Sequence, residues 1–439
     1  MMALSKNKFI LNFFENFLNY KISSKLDFLL KSQWWSTDKL KKLQTIKLRK
    51  LVKHCYENVP YYRRLFKDLS VSPSDIRCIS DLEKLPILTK KIIRENKDQL
   101  LATNIEEFSL IRMRSSGSTG EPLEYYTTRE AYLWNMATEI RGWYWMGYRL
   151  GDSYCKISSN PRSSLFKKLQ DLFFNNTYIE IPEFEEEYFE KTCKLLVNHN
   201  PDFIRGYPDA MFFLANFLNK NSTQNIKPKS ITTTGNILTR ESRQKIEDQF
   251  GCKIFDSYGC EGTGHLFQCD ENLSYHMAME YGIYETLTLS KKESSSNKFR
   301  LISTDLHNYA MPFLRYDTQD LVSKSSKDCN CNRGLATVKK IYGRDSDIIV
   351  IPPDKYFIVH NFTIYFSNQK TVERFQVRQT DKETIIIYLV VNATHKDFNT
   401  DEIYKFWAKS FGKNINLSVE IVSQIPYTPS GKHRFLIRE

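Results

Sequence analysis

No apolar run in this 439-residue chain reaches the roughly 18 residues that a membrane-crossing helix needs, so no transmembrane segment is expected. The opening Met1-Met2-Ala3-Leu4-Ser5-Lys6 lacks the long apolar core of a secretory signal. A dense, even cysteine array is also missing. The nine cysteines are odd in number and scattered, unlike a secreted disulfide framework. These absences together predict a reduced, cytoplasmic protein. Internal repeats and low-complexity segments are lacking, and 41% apolar with 14% aromatic residues argues against intrinsic disorder. No Ser-His-Asp or Cys-His nucleophile stands out. The formal net charge of +12 comes without a nucleic-acid-binding motif. The densest basic stretch, Lys39 to Lys53, interleaves Leu and Ile at helical spacing, so it reads as an amphipathic helix and no nucleic-acid partner is expected.

What is present is length for two or three domains and a large core. Residues 1–105 read as mainly helical, with Phe9, Phe13, Phe14 and Phe17 and then Leu40, Leu43, Leu48 and Leu51 at helical intervals. The Phe stripe is read as core-facing, and a weak peripheral membrane contact stays open. From 150 to 345 helical stretches alternate with short β-rich runs, which predicts an α/β domain. Thr286 to Thr304 reads as a hairpin with a polar turn from Lys291 to Asn297. The texture changes at Ile348. Ile348–Ile351 and Glu383–Val391 are strand-like, Asp401–Phe411 is helix-like, and a tail of roughly 90 residues has the size of a small α+β domain. The expected division is 1–344 and 345–439.

Five stretches carry chemistry, each with an ordinary alternative. Ser115-Ser116-Gly117-Ser118-Thr119-Gly120-Glu121-Pro122 follows a predicted strand. Such a run lets backbone N–H groups and hydroxyls surround a phosphate, or it is a flexible hairpin turn. It lacks the Gly-Lys-[Ser/Thr] ending of a Walker loop. Asp256-Ser257-Tyr258-Gly259-Cys260-Glu261-Gly262 offers a ring to stack on a base and a carboxylate for Mg²⁺, or is a turn with one exposed Glu. Arg315-Tyr316-Asp317-Thr318-Gln319-Asp320 places an aspartate where ribose hydroxyls could be held, or is a solvated turn. Gly343-Arg344-Asp345-Ser346-Asp347 puts an Arg at the texture change, as a hinge contact or a polar linker. Ser430-Gly431-Lys432 near the C-terminus presents a point positive charge, or is a solvated tail.

Taken in this order, the five stretches resemble the motifs of the adenylate-forming (ANL) superfamily, over about residues 50 to 439. The stretch Thr234-Gly235-Asn236-Ile237-Leu238 through Phe250-Gly251 to Tyr258-Gly259 resembles a further block of that superfamily. Tyr56 to Arg64, Arg205-Gly206-Tyr207-Pro208 and Tyr275-His276 resemble its phenylacetate–CoA ligase branch, particularly the capsular-polysaccharide-biosynthesis relatives. The resemblance implies a large multi-sheet α/β adenylation domain and a small mobile α+β C-terminal domain. It implies ATP-dependent activation of a carboxylic acid through an acyl-adenylate, with CoA, an amine or a hydroxyl as acceptor. Ser115, Ser116, Gly117, Ser118, Thr119 and Gly120 would embrace the ATP phosphates, Gly235 and Gly259 would border the nucleotide, and Tyr258 would stack on adenine. Glu261 would contact Mg²⁺, Asp320 would hold the ribose, Arg344 would reach the nucleotide from the hinge, and Lys432 would serve adenylation.

Departures are visible: Asn236 replaces a Glu, Gln319 replaces a Gly, and Glu261 sits one residue early. Those at Asn236 and Gln319 motivate the alternative of a non-catalytic nucleotide-binding or scaffold protein. A homodimer stays open as the assembly.

Cys269, His276, Cys329 and Cys331 form a set suited to tetrahedral, structural Zn²⁺, and branch members with a similar zinc-holding set strengthen that reading. Cys55, Cys78, Cys155, Cys193, Cys252 and Cys260 are read as buried apolar fillers. His265 is a candidate pocket residue, and Trp143-Tyr144-Trp145 is read as core packing rather than as a pocket wall.

Overall fold

The computed structural model describes residues 22–114, 123–158, 168, 171, 175–181, 186–221, 226–260, 263–269, 272–288, 298–325, 329–344, 348–351, 355–358, 362, 365–366, 369, 371–391, 399–412, 414–426 and 434–438. From residue 22 onward the N-terminal region is mainly helical, as its periodicity predicts, while the stripe Phe9, Phe13, Phe14 and Phe17 lies outside the described residues. Ser36 caps the helix Thr37–Asn58 by accepting from the Lys39 amide at 3.3 Å. Pro60 opens the next helix, Pro60–Asp68, at the position where a missing N–H costs nothing. The basic stretch 39–53 is amphipathic in fact: Leu40, Leu48, Leu51 and Val52 are buried. So is Gln44, which donates to the Gly282 carbonyl at 2.7 Å.

The β-strands are β1 (Leu110–Arg114), β2 (Glu124–Thr128), β3 (Tyr154–Ser158), β4 (Asn176–Glu180), β5 (Phe203–Gly206), β6 (Ser230–Thr234), β7 (Lys253–Cys260), β8 (Gly264–Gln268), β9 (Tyr275–Met277), β10 (Gly282–Thr288), β11 (Phe299–Asp305), β12 (Tyr316–Lys324) and β13 (Thr337–Arg344). After these come β14 (Ile348–Ile351), β15 (Lys355–Ile358), β16 (Val372–Gln379), β17 (Thr384–Val391), β18 (Asn416–Ile421) and β19 (Leu436–Arg438). Strands β3 to β13 form one eleven-stranded sheet in the order β10-β11-β12-β13-β9-β8-β7-β6-β5-β3-β4. From β4 through β7 the pairing is parallel, and from β7 onward it is antiparallel. The parallel half is served by helices Glu186–His199, Pro208–Asn221 and Arg240–Phe250. The strands of the hairpin expected over 286–304 are β10 and β11, with Thr288 opposite Phe299, and its expected turn, 291–297, lies outside the described residues.

Helices and sheet share cores. One runs from Leu48 through Tyr62 and Phe66 to Phe313 and Tyr316. Within it the Tyr62 hydroxyl donates to the Pro312 carbonyl and accepts from the Leu314 amide, both at 3.0 Å. The stretch 56–64 therefore pins the N-terminal helices against β12. The C-terminal strands form a separate sheet, β18-β17-β16-β19. Helix Asp401–Phe411 packs Trp407 and Phe411 into a core whose members all lie between Ile349 and Leu436.

Candidate active site

The structure brings together segments far apart in sequence. Tyr258, near the end of β7, donates its hydroxyl to Asp320 Oδ2 at 2.5 Å. Burial, then the Asp320 charge, raises the Tyr258 pKa well above its ordinary value, so the phenol keeps its proton. Asp320 lies on β12 opposite Arg344 of β13, and Leu321 pairs Gly343. Gly343 has φ +84°, and a Cβ there would stand 2.5 Å from the Ile237 side chain. Gly235 has φ +87°, and a Cβ there would stand 2.7 Å from the Tyr207 ring. Both positions need glycine for conformation and for space. The stretches 205–208, 235–238, 258–260, 320 and 343 are thus neighbours.

Asp320 owes its position to an irregularity. The register of β11 against β12 shifts between Arg300 and Ile302, and Gln319 has φ +65°. Its amide donates to Asp317 Oδ1 at 2.9 Å, and the Asp320 amide donates to Thr318 Oγ1 at 3.1 Å. A bulge of this kind re-aims a side chain. The other charged members of the motif are committed elsewhere: Arg315 pairs with Glu285 at 2.9 Å, and Asp317 with Arg300 at 3.2 Å. Asp256 is turned into the sheet, taking hydroxyls of Thr233 and Tyr275 at 2.5 Å each. Burial pushes its carboxyl up to about 6.

Asn236 donates to Asp209 Oδ2 at 2.6 Å. Burial raises the Asp209 carboxyl to about 6, and the Asn236 amide pulls it back. A Glu at 236 would set two carboxylates against each other. Ser115 to Pro122, Glu261 and Lys432 lie outside the described residues, and Arg344 is placed through its backbone alone. The strands flanking the serine-rich stretch are placed: Arg114 of β1 pairs Glu124 of β2.

Beside this junction is a cavity of about 250 Å³. Met113 and Tyr125 from the β1–β2 hairpin line it together with Gly259 and Cys260 of β7. Helix Arg129–Trp145, capped by Thr128, contributes Tyr132, Asn135 and Glu139, at positions i, i+3 and i+7 on one face. That polar stripe is the signal by which sequence reasoning could have found Glu139. Glu139 pairs with Arg205 at 2.5 Å. Burial works to raise the Glu139 pKa, but the charges of Arg205, His265 and Lys156 bring it below the ordinary value. His265 is a lining residue, and burial drives its imidazole down to about 4. Asp305, also lining, is pushed up to about 7 by burial, against the amides of His307 and Asn308. Trp143, Tyr144 and Trp145 do not line it. Trp143 packs on Tyr148 and Tyr154, and Trp145 on Phe267 and His276.

The expected metal set converges. Cys269 follows β8, His276 is in β9, and Cys329 and Cys331 lie between β12 and β13. Their ligand atoms all fall within 4.8 Å of one another. Cys269 and Cys329 sulfurs are 3.4 Å apart, and Cys331 Sγ is 3.5 Å from His276 Nε2. A tetrahedral ion with sulfur ligands at ~2.3 Å sets them ~3.8 Å apart, so the spacing and the donor chemistry fit Zn²⁺. Burial, aided by the Arg333 charge, lowers the His276 pKa to about 4, which keeps the imidazole neutral as a ligand must be. Of the remaining cysteines, Cys55, Cys155, Cys193 and Cys260 are buried as expected, whereas Cys78 is exposed and Cys252 half-buried. Cys78 heads a short 3₁₀ turn where its thiol meets Asp81 at 3.1 Å, so its place is set by a turn rather than by packing.

Comparison with known proteins agrees with this architecture. The CapK C-terminal domain family matches residues 350–439. Protein CapK of Staphylococcus aureus is 25% identical over 409 residues, 90% of this chain and 88% of that one. A phenylacetate–coenzyme A ligase of Pseudomonas putida is 28% identical over 334 residues, covering 72% and 73%. Among solved structures, a 2-hydroxyisobutyryl-CoA ligase in the postadenylation state superposes with a TM-score of 0.68 at 15% identity, covering 91% of this chain and 89% of that one. The chain thus shares its fold with AMP-forming acid ligases and is similar in sequence, over most of its length, to CapK and the phenylacetate–CoA ligases. The likeness to CapK runs over most of the chain and includes the C-terminal family match.

Proposed function

We propose that the protein activates a carboxylic acid with ATP, forming an acyl-adenylate and releasing pyrophosphate, and then passes the acyl group to CoA, an amine or a hydroxyl. Making the mixed anhydride replaces a poor leaving group, oxide, by AMP. The observation that carries this reading is the hydrogen bond between Tyr258 and Asp320, beside a cavity that the β1–β2 hairpin also lines. In this reading Asp320 takes the ribose hydroxyls, Tyr258 lies against the base, and Ser115 to Gly120 with Gly235 and Gly259 border the phosphates. Glu261 holds Mg²⁺, Arg344 reaches the nucleotide from the hinge, and Lys432 brings a cation to the reacting α-phosphate. Residues 345–439 act as the small domain that carries Lys432 in and out. Cys269, His276, Cys329 and Cys331 hold a structural Zn²⁺. We place the reaction in the cytoplasm and, from the resemblance to capsule relatives, in the building of a surface polysaccharide.

The departures that motivated a non-catalytic alternative are both accommodated: Asn236 is satisfied by Asp209, and Gln319 sits in the bulge. The test is ATP–pyrophosphate exchange across aryl, fatty, amino, hydroxy and uronic acids. Acid-dependent exchange is expected. Asp320→Ala should raise the KM for ATP at least about tenfold, the scale of one hydrogen bond to a charged group. ATP binding with no exchange for any acid would instead support the non-catalytic alternative.

A further inference from the structure

The cavity beside Tyr258 is small, and its surface is divided about evenly between polar and apolar groups. Its volume of about 250 Å³ lies below the usual ~300–1,000 Å³ of ligand pockets, too small for a long acyl chain. Of the sixteen described residues that line it, eleven carry a side-chain nitrogen or oxygen. Ligand pockets are ordinarily mostly apolar, with few polar groups, so this composition is information about the ligand.

Several of these groups are already spent within the protein. The Asn308 amide donates to the Tyr126 and Met311 carbonyls, at 2.9 and 3.0 Å. Asp305 Oδ1 takes the His307 amide at 2.7 Å. Thr263 shares its hydroxyl with Ser303 at 2.7 Å. The Glu139–Arg205 ion pair is different, because both side chains keep some exposure (26% and 17%). The accessible remainder of each is wetted. Covering that pair with an alkyl or aryl group would strip its water without replacement, a cost that paired charges in proteins rarely recover. Glu139 and Arg205 cancel, the His265 ring is neutral near pH 7, and Asp305, held at about 7 by burial, is partly protonated and so can both give and take a hydrogen bond. The pocket therefore calls for a neutral group that both donates and accepts.

Resting on the adenylation reading, we propose that this cavity holds the acyl portion of the substrate and selects a short, hydroxyl-bearing carboxylic acid over aryl, alkyl and amino acids. The hydroxyls replace the water around Glu139 and Arg205, while Phe313 and Tyr125 pack the carbon skeleton.

The experiment measures acid-dependent ATP–pyrophosphate exchange on the full-length protein. It uses matched acids of up to about six carbons: hydroxylated, unsubstituted, amino-substituted and aryl. A kcat/KM for the best hydroxylated acid at least about tenfold above its unsubstituted counterpart, and above the amino and aryl acids, supports the assignment. Robust exchange that favours phenylacetate, hexanoate or an amino acid overturns it while leaving adenylation intact. Exchange with none of the acids means that adenylation itself fails, and this inference with it.

A second arm swaps the ion pair for apolar residues of similar size, Glu139→Leu with Arg205→Met, a type of exchange that folded proteins often tolerate. The hydroxyl preference should fall at least about tenfold, through KM more than kcat. A variant with a wild-type melting profile and an unchanged preference overturns the proposal. If the variant does not fold, the wild-type acid panel decides alone.

Discussion

Gln319 shows how one residue can be replaced without losing the geometry it serves. Resemblance alone marks it as a departure, because relatives carry glycine just before the aspartate. Its φ of +65° shows that the backbone still takes the glycine conformation. An L-residue pays roughly 1–2 kcal/mol in the left-handed region, while glycine loses about 0.5–1 kcal/mol more conformational freedom on folding. Gln319→Gly should therefore stabilise the protein by about 0.5–1 kcal/mol, read as a higher denaturation midpoint at unchanged slope. A clear loss of stability would mean that the Gln319 side chain holds the bulge. The same logic explains why Asn236 was legible as a change but not as a compensation: its partner Asp209 lies 27 positions away, and no local pattern announces such a pair.

At the level of elements, local signals were strong wherever caps and periodicity agreed. Helix Asp401–Phe411 has the expected limits. The strands of the hairpin over 286–304 are also present. What local pattern could not supply was the order of strands in the large sheet, because β13 returns to pair β9 across some 60 residues. That pairing is what closes the metal set, setting Thr337 opposite His276 beside the Cys329–Cys331 link. Four ligands on three segments would staple the middle of the sheet. One zinc per chain is expected by elemental analysis of purified protein. Cys329→Ser, or stripping with a chelator, should lower the unfolding midpoint by about 5 °C or more. It should leave exchange at low temperature nearly unchanged, as removal of a structural rather than catalytic ion would. Metal-free purified protein with the same melting curve as a zinc-loaded sample would remove the ion from the structure.

Across the whole molecule, the candidate nucleotide contacts Tyr258 and Asp320 and the core formed by the described C-terminal residues belong to different packing units. Tyr258 and Asp320 are fixed by the large sheet, whereas the last core draws on nothing before Ile349. The change of texture at Ile348 is the sequence signal nearest the start of that core. The convergence of 205–208, 235–238, 258–260 and 320 was legible only through resemblance, because contacts between distant strands leave no periodic trace. If Lys432 acts from a separate body, its charge should matter to the chemical step and not to ATP capture. Lys432→Ala is thus expected to cut acid-dependent ATP–pyrophosphate exchange by at least about a hundredfold, the scale of losing one preorganised charge at a developing anion. Its affinity for ATP, measured by calorimetry, should stay within about threefold, since Tyr258 and Asp320 are untouched. Wild-type exchange in the variant would remove Lys432 from the reaction. A parallel collapse of ATP affinity would mean that the two units bind nucleotide as one, and that the C-terminal region is a fixed wall of the site rather than a part that carries its cation in and out.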